Sequence, residues 1–235
     1  MYVRCRRGGG PCESSAVTRR FDRFVGDLGD VELSDRATNQ FSHTTGDLQG
    51  HAIRRRNLRL YLGEMDAIAP RILLIGEAVS YRGGRLTGIA FVSESVMLGG
   101  VDIAEGRILG ADRGYRKATP GPKLSTEASA TMVWETIREM RPLPLLWNAF
   151  PFHPFGPEKL ESNRAPTANE LLIGQEFIER LLGLFAFTQI VAIGNHASLS
   201  LQRMEIEHTK VRHPSQGGKN LFVEGMARLS QERKS

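Results

Sequence analysis

The stretch Arg71-Ile-Leu-Leu-Ile75 runs directly into Gly76-Glu77-Ala78-Val79-Ser80. Three other short apolar runs behave the same way. Leu143-Pro-Leu-Leu-Trp147 leads into Asn148, Gln189-Ile-Val-Ala-Ile193 into Gly194-Asn195-His196, and Lys210-Val-Arg212 into His213-Pro214-Ser215. Apolar runs of this length, separated by helical stretches, read as buried parallel strands covered on both faces. The expected fold class is therefore α/β, a three-layer α/β/α arrangement around a central, mostly parallel four-stranded sheet. In open α/β sheets the ligand crevice lies at the carboxyl ends of the strands. Topology alone then brings Glu77, Asn148, Asn195 and His213 together, although they are far apart in the chain.

Working outward, the segment near 46–66 holds one helix before the first strand. Ser125 or Thr126 can cap a helix over 127–141, with Trp134 and Ile137 on one face. Thr167 caps a helix over about 168–185, where Leu171, Leu172, Gln175, Ile178 and Leu182 keep helical spacing. A short helix runs from about His196 to Arg203. The glycine-rich stretch 79–88 closes on Phe91, and the glycine- and proline-punctuated stretch 95–124 reads as an insertion. Residues 1–45, with Arg-Arg-Gly-Gly-Gly-Pro at 6–11 and scattered Ser, Thr and Asp, read as an irregular N-terminal extension. The remainder, 46–235, reads as a single domain.

The chain of 235 residues suffices for one α/β core but not for two ample domains. The formal net charge is +5, yet residues 1–60 hold 11 Arg against 7 acidic residues, so most of the excess lies there. A local cluster, Arg107, Arg113, Arg116, Lys117 and Lys123, suits either a phosphate-bearing partner or a solvated loop. The two cysteines, Cys5 and Cys12, could form one disulfide but are too few for a zinc or iron–sulfur site. No run approaches the ~20 apolar residues of a membrane span. No apolar leader opens the chain, and a reducing cytoplasmic location is the expectation.

The motifs in this order resemble those of the uracil-DNA glycosylase superfamily, over about residues 70–225. Gly76-Glu77-Ala78-Val79-Ser80 resembles its water-activating loop. Phe91, fifteen residues after Gly76, has the spacing of the phenylalanine that stacks on uracil. Leu-Leu-Trp-Asn148-Ala is similar to the strand whose asparagine reads the base edge, and His213-Pro214-Ser215 to the motif whose histidine faces uracil O2. Gly194-Asn195-His196-Ala197 resembles a phosphate-gripping loop. Thr119-Pro-Gly-Pro-Lys-Leu-Ser125 resembles the proline-rich loop that pinches the DNA strand. The resemblance implies catalysis by His213, Glu77 and Asn148, and a uracil pocket of Gly76, Ala78, Val79, Phe91, Asn148 and His213. It also implies DNA contacts from Ser125, Asn195, Ser215, Gln216, Gly217 and Lys219, with neither metal nor other cofactor. A bacterial monomer acting on uracil-containing DNA, with activity at the nucleoid, is the corresponding expectation.

The residue types suit that chemistry on their own terms. Breaking an N-glycosidic bond places negative charge on the departing base. A donor aimed at O2 stabilises that charge where it develops, and a neutral imidazole at His213 can supply it. Asn148 offers a donor for O4 and an acceptor for N3–H, a pattern that cytosine reverses. Each residue also has a plainer reading: a structurally bonded histidine, a turn asparagine, a core phenylalanine, a glycine turn at 217. Glu77 can orient water or bind a backbone amide.

The chain departs from the best-known family at three places. Ala78 occupies the usual position of the water-positioning aspartate, so either Glu77 or backbone carbonyls near Ala78 and Val79 hold the water. Ser80, followed by Tyr81, replaces the bulky residue that excludes thymine. Gly217 replaces the leucine wedge, and the cluster-bearing branches' four cysteines are missing, so no iron–sulfur cluster is expected. Rival readings are a glycosylase for hypoxanthine or xanthine, or a catalytically lapsed DNA-binding module of the same fold.

Overall fold

The structure is a computed structural model that describes residues 13–43, 49–157 and 159–232. Cys5 and Cys12, and any disulfide between them, lie outside the described residues. In chain order the elements are α1 (Glu13–Asp30), β1 (Ala37–Thr38), α2 (Gly50–Ile68), β2 (Ile72–Ala78), α3 (Gly84–Thr87) and α4 (Glu94–Gly99). Then follow β3 (Val101–Ile103), β4 (Gly106–Ile108), α5 (Ala128–Ile137), β5 (Leu145–Phe150) and β6 (His153–Pro154). The chain continues through α6 (Ala168–Leu184), β7 (Gln189–Ile193), α7 (Asn195–Arg203), β8 (Thr209–Val211) and α8 (Lys219–Glu232).

The four apolar runs form one sheet in the order β5-β2-β7-β8, with every neighbouring pair parallel. Helices cover both faces, as the near-continuous burial of Ile72–Ile75 and Leu145–Phe150 requires. Register places Gly76 beside Asn148 and Ile75 beside both Trp147 and Ala192. Side chains alternate along a strand, so Gly76 and Asn148 share one face while Glu77 belongs to the other. On the Glu77 face, Phe24 of α1 packs on Trp147 and on Phe177 of α6. On the Asn148 face, Trp134 of α5 reaches Phe91. The start of α6 is held by a capping box: Thr167 N–H donates to the Glu170 carboxylate at 2.7 Å, and Glu170 N–H to the Thr167 hydroxyl at 3.3 Å. Among the described residues no helix is long and apolar enough to cross a membrane.

Four expectations need correction. Residues 13–30, expected to be irregular, form α1, and Phe21, Phe24, Val25 and Leu28 are buried in the common core. Their spacing is a helical stripe, which the polar residues around it masked. The stretch 95–124 is no mere insertion, because Met97, Ile108, Leu109 and Tyr115 are fully buried. The helix expected from residue 127 starts at Ala128 with Glu127 at its cap, and neither Ser125 nor Thr126 caps it. Asn148 does not end its strand, which continues to Phe150.

Gly174 explains how closely α6 seats on the sheet: a Cβ there would lie 1.8 Å from the Ala149 carbonyl oxygen. Gly183, in the same helix, has nothing within 4 Å of its missing Cβ. Gly174→Ala should therefore destabilise the protein by about 1–3 kcal/mol, as overpacking does. Gly183→Ala should stabilise it by up to about 1 kcal/mol through helix propensity. Urea melts of the two variants, read as midpoint shifts of opposite sign, check the packing argument.

Candidate active site

The carboxyl ends of β2, β5 and β7 and the segment after β8 open into a cleft of about 850 Å³. Glu77, Ala78, Val79, Phe91, Asn148, Asn195, His213, Ser215 and Gln216 all line it. A second cavity of about 780 Å³ lies between α1, α2 and the β3–β4 hairpin. It is mostly apolar, and the charged groups on its rim include the Arg59–Asp22 and Arg113–Glu64 pairs. The strand-end cleft is the one where unpaired chemistry gathers.

Gly76 is its floor. A Cβ at this position would lie 2.5 Å from the Phe91 ring and 2.7 Å from Asn148 Oδ1. Only a bare Cα lets the ring and the amide meet there. Phe91 itself sits in left-handed backbone conformation, φ 54°, and its carbonyl accepts the Trp134 indole N–H at 3.0 Å. Asn148 is 3% exposed, yet its amide makes no hydrogen bond among the described residues and borders the cleft. A turn-forming asparagine would bond nearby backbone, and this one does not.

His213 has a defined tautomer. Its Nδ1 accepts the Ser215 backbone N–H at 3.2 Å and lies 2.8 Å from the Ser215 hydroxyl. A backbone N–H can only donate, so the ring proton of the neutral form is assigned to Nε2. Burial, aided by neighbouring Arg212, pushes the His213 pKa below the ordinary histidine range. The ring thus offers a neutral Nε2–H without a partner among the described residues. Gly194, φ 89°, makes room for it, since a Cβ there would lie 2.9 Å from His213 Cβ.

Glu77 reaches the cleft from the opposite face of the sheet. Its carboxylate lies 3.8 Å from His196 Nδ1 at the start of α7. Burial raises its pKa above the ordinary carboxylate range, with His196 pulling it back.

The structure separates the expected DNA-contacting residues. Asn195, Ser215 and Gln216 are on the cleft wall, whereas Ser125, Gly217 and Lys219 are not. Ser125 is bound to Glu94, its N–H donating to the carboxylate at 2.8 Å and its hydroxyl accepting Glu94 N–H at 3.2 Å. Lys219 pairs with Glu135 at 2.9 Å, an exposed contact. Gln216 and Gly217 are consecutive left-handed residues with φ of 52° and 75°. Most of the basic cluster is engaged locally: Arg107 bonds Asp102, Arg113 bonds Glu64, Arg116 bonds the carbonyls of Ala111 and Tyr115, and Lys117 those of Thr119, Pro120 and Gly121, whereas Lys123 is exposed and makes no such bond among the described residues. The bonded cations hold their own loop.

Residues not singled out from sequence also border the cleft, among them Glu127, Asn163 and Arg164, as does His196 of the motif after β7. Glu127 accepts the Ser129 hydroxyl at 3.1 Å through Oε1. Burial raises its pKa despite bonding to Ser80 and Ser129. Arg164 is clamped by Glu170, with two contacts of 2.6 and 2.7 Å. Only the Thr167 cap beside it was readable in the sequence.

No protein-family model matches this chain, and no curated protein does. Among solved structures it is similar to the crystal structure of wild-type SMUG2 from Pedobacter heparinus. The TM-score is 0.60 at 15% identity, covering 93% of this chain and 99% of that one. At such identity the likeness is one of fold, and it shows that the three-layer α/β/α architecture around a parallel four-stranded sheet is shared with that crystal structure.

Proposed function

We propose that this chain is a DNA glycosylase of the uracil-DNA glycosylase superfamily that hydrolyses the N-glycosidic bond of uracil in DNA and leaves an abasic site. The fold shared with SMUG2, a member of that superfamily, supports the class. The observation that carries the uracil reading is the amide of Asn148, a nearly buried residue, without a hydrogen-bond partner among the described residues and set beside the Phe91 ring next to Gly76. The amide faces the open cleft, where its donor and acceptor are free to bond a ligand that matches both. A flipped uracil completes it with O4 and N3–H while its face lies on Phe91.

In this reading the Nε2–H of His213 donates to O2 as charge moves onto the departing base. Glu77, ionised, orients water toward the sugar carbon. The loop 213–218 offers backbone N–H groups to phosphate rather than a side-chain wedge, because Gln216 and Gly217 form a left-handed pair. DNA is the partner, and the chain acts as a monomer without metal or cofactor.

His213→Ala should lower the single-turnover rate of uracil release by about 10²–10³-fold, the size of a lost oxyanion donor, with little change in DNA affinity. Single-lesion duplexes carrying uracil, hypoxanthine or xanthine test the substrate. Release of purine lesions alone would overturn uracil, and DNA binding without any release would leave the lapsed module.

The pH dependence follows from the two shifted groups. His213 must be neutral, so its contribution appears as pH rises through a pKa below the ordinary histidine range. Glu77 must be ionised, so its contribution appears as pH rises through a pKa above the ordinary carboxylate range. Both give a rate that climbs with pH on the acid side and is level near neutrality. Glu77→Gln should remove one of the two proton steps. A rate that falls as pH rises through the acid range would contradict both assignments.

Asn148→Asp should slow uracil release and admit cytosine, since a carboxylate accepts from the cytosine amino group. Release of uracil at the parent rate would show that the base edge is read elsewhere.

A further inference from the structure

Behind the cleft lies a buried ring that the proposed reaction does not use. His153 of β6 is 0% exposed. Its Nδ1 lies 2.9 Å from the Val79 carbonyl oxygen, and its Nε2 lies 2.8 Å from that of Leu160. Both partners are acceptors only. A neutral imidazole carries one N–H, so it satisfies one carbonyl and turns a nitrogen lone pair toward the other at hydrogen-bond distance. Only the doubly protonated ring donates to both.

The two carbonyls belong to two segments of the cleft wall. Val79 directly follows Glu77 and Ala78, and Leu160 lies in the loop that carries Asn163 and Arg164. Other bonds run between the same parts: Val79 N–H donates to the Phe152 carbonyl at 3.3 Å, and Tyr81 N–H to Asn163 Oδ1 at 3.2 Å. The backbone that carries the ring is anchored in turn, because His153 pairs with Thr38 of β1.

We propose that His153 is a positioning residue, a latch whose neutral ring holds one of these segments and whose protonated ring holds both, fixing the Val79 carbonyl and so the Glu77–Ala78 wall of the cleft. It rests on the glycosylase reading only for what the latched wall does. Burial disfavours the charged ring, the Val79 and Leu160 carbonyls favour it, and Arg85 and Arg164 oppose it. Both arginines have nearby acids, Glu161 toward Arg85 and Glu170 on Arg164, and Phe155 stacks on the ring with centroids 6.0 Å apart. The sum lies below the ordinary histidine range, so the second bond closes as pH falls into the acid region.

The test uses the full chain with isotope-labelled histidine. Imidazole nitrogen shifts and amide exchange at Val79 and Tyr81 are followed from about pH 8 down to about pH 4, past the range over which ordinary histidines titrate. One ring nitrogen should be bare at the upper end and both protonated at the lower. Protection at the two amides, the intrinsic exchange rate at each pH divided by the observed rate, should rise about three- to tenfold across the same midpoint, the size of one net hydrogen bond. Two variants separate the contacts at constant neutral pH. His153→Asn keeps a donor near Nδ1 for Val79, and His153→Gln keeps one near Nε2 for Leu160. His153→Gln should slow uracil release about three- to tenfold relative to His153→Asn, with equal DNA affinity. A single neutral tautomer at every pH with flat protection overturns the latch, as do variants of equal rate. Should the parent protein release no base, the glycosylase reading fails, and the shifts and exchange alone decide the latch.

Discussion

The cleft depends on how closely a ring and an amide can approach the backbone at Gly76. β2 is an interior strand, laddered to β5 on one side and β7 on the other, so it cannot shift sideways to make room. A methyl group at residue 76 would meet Phe91 and Asn148 at under 3 Å. With the Cα bare, the two side chains converge on one small volume without any rearrangement of the sheet. Phe91 adopts a left-handed backbone to get there, at a cost of about 1–2 kcal/mol. The Trp134 bond to its carbonyl helps hold that conformation in place.

Around this floor, the bordering loops rest on buried polar groups rather than on apolar packing. Glu94, 1% exposed, takes the Ser125 N–H and the Thr119 hydroxyl and so secures the proline-rich loop. Arg164, clamped by Glu170, donates to the carbonyls of Phe155 and Arg36 and joins the 155–165 loop to the N-terminal part of the chain. His153 joins that loop to the strand end of β2. Such networks are rigid when fully satisfied and costly when broken. Most of the basic cluster at 107–123 serves the same purpose, bonding acids and carbonyls of its own surroundings. A sum of charges along the chain could not reveal that.

Some of this was legible beforehand. The strand runs and the Thr167 cap are local patterns a few residues long, and they appear where periodicity and capping chemistry place them. Phe21, Phe24, Val25 and Leu28 were equally local, but Gly and Arg on one side and Ser, Thr and Asp on the other obscured their stripe. The 95–124 stretch was harder, because its elements are three to six residues long and show no period. Its burial comes from α2, where Glu64 accepts Leu109 N–H and the Tyr115 hydroxyl. Glu127, His153 and Arg164 gave no signal, since a carboxylate or an imidazole reads alike wherever its partners lie.

The sequence by itself determined the fold class, the order of its buried strands, and that Glu77, Asn148 and His213 stand at or near strand ends facing one crevice. Hydrophobic patterning decides such matters, and it acts over the length of a single element. Tertiary structure alone decided that Glu77 arrives from the other face of the sheet, that Asn148 has no hydrogen-bond partner among the described residues, and that His213 carries its proton on Nε2. It also decided that Lys219 and four of the loop cations, Arg107, Arg113, Arg116 and Lys117, already have partners. Tautomer, ionisation and pairing respond to atoms within a few ångströms, and those atoms come from residues as far apart as Val79 and His153.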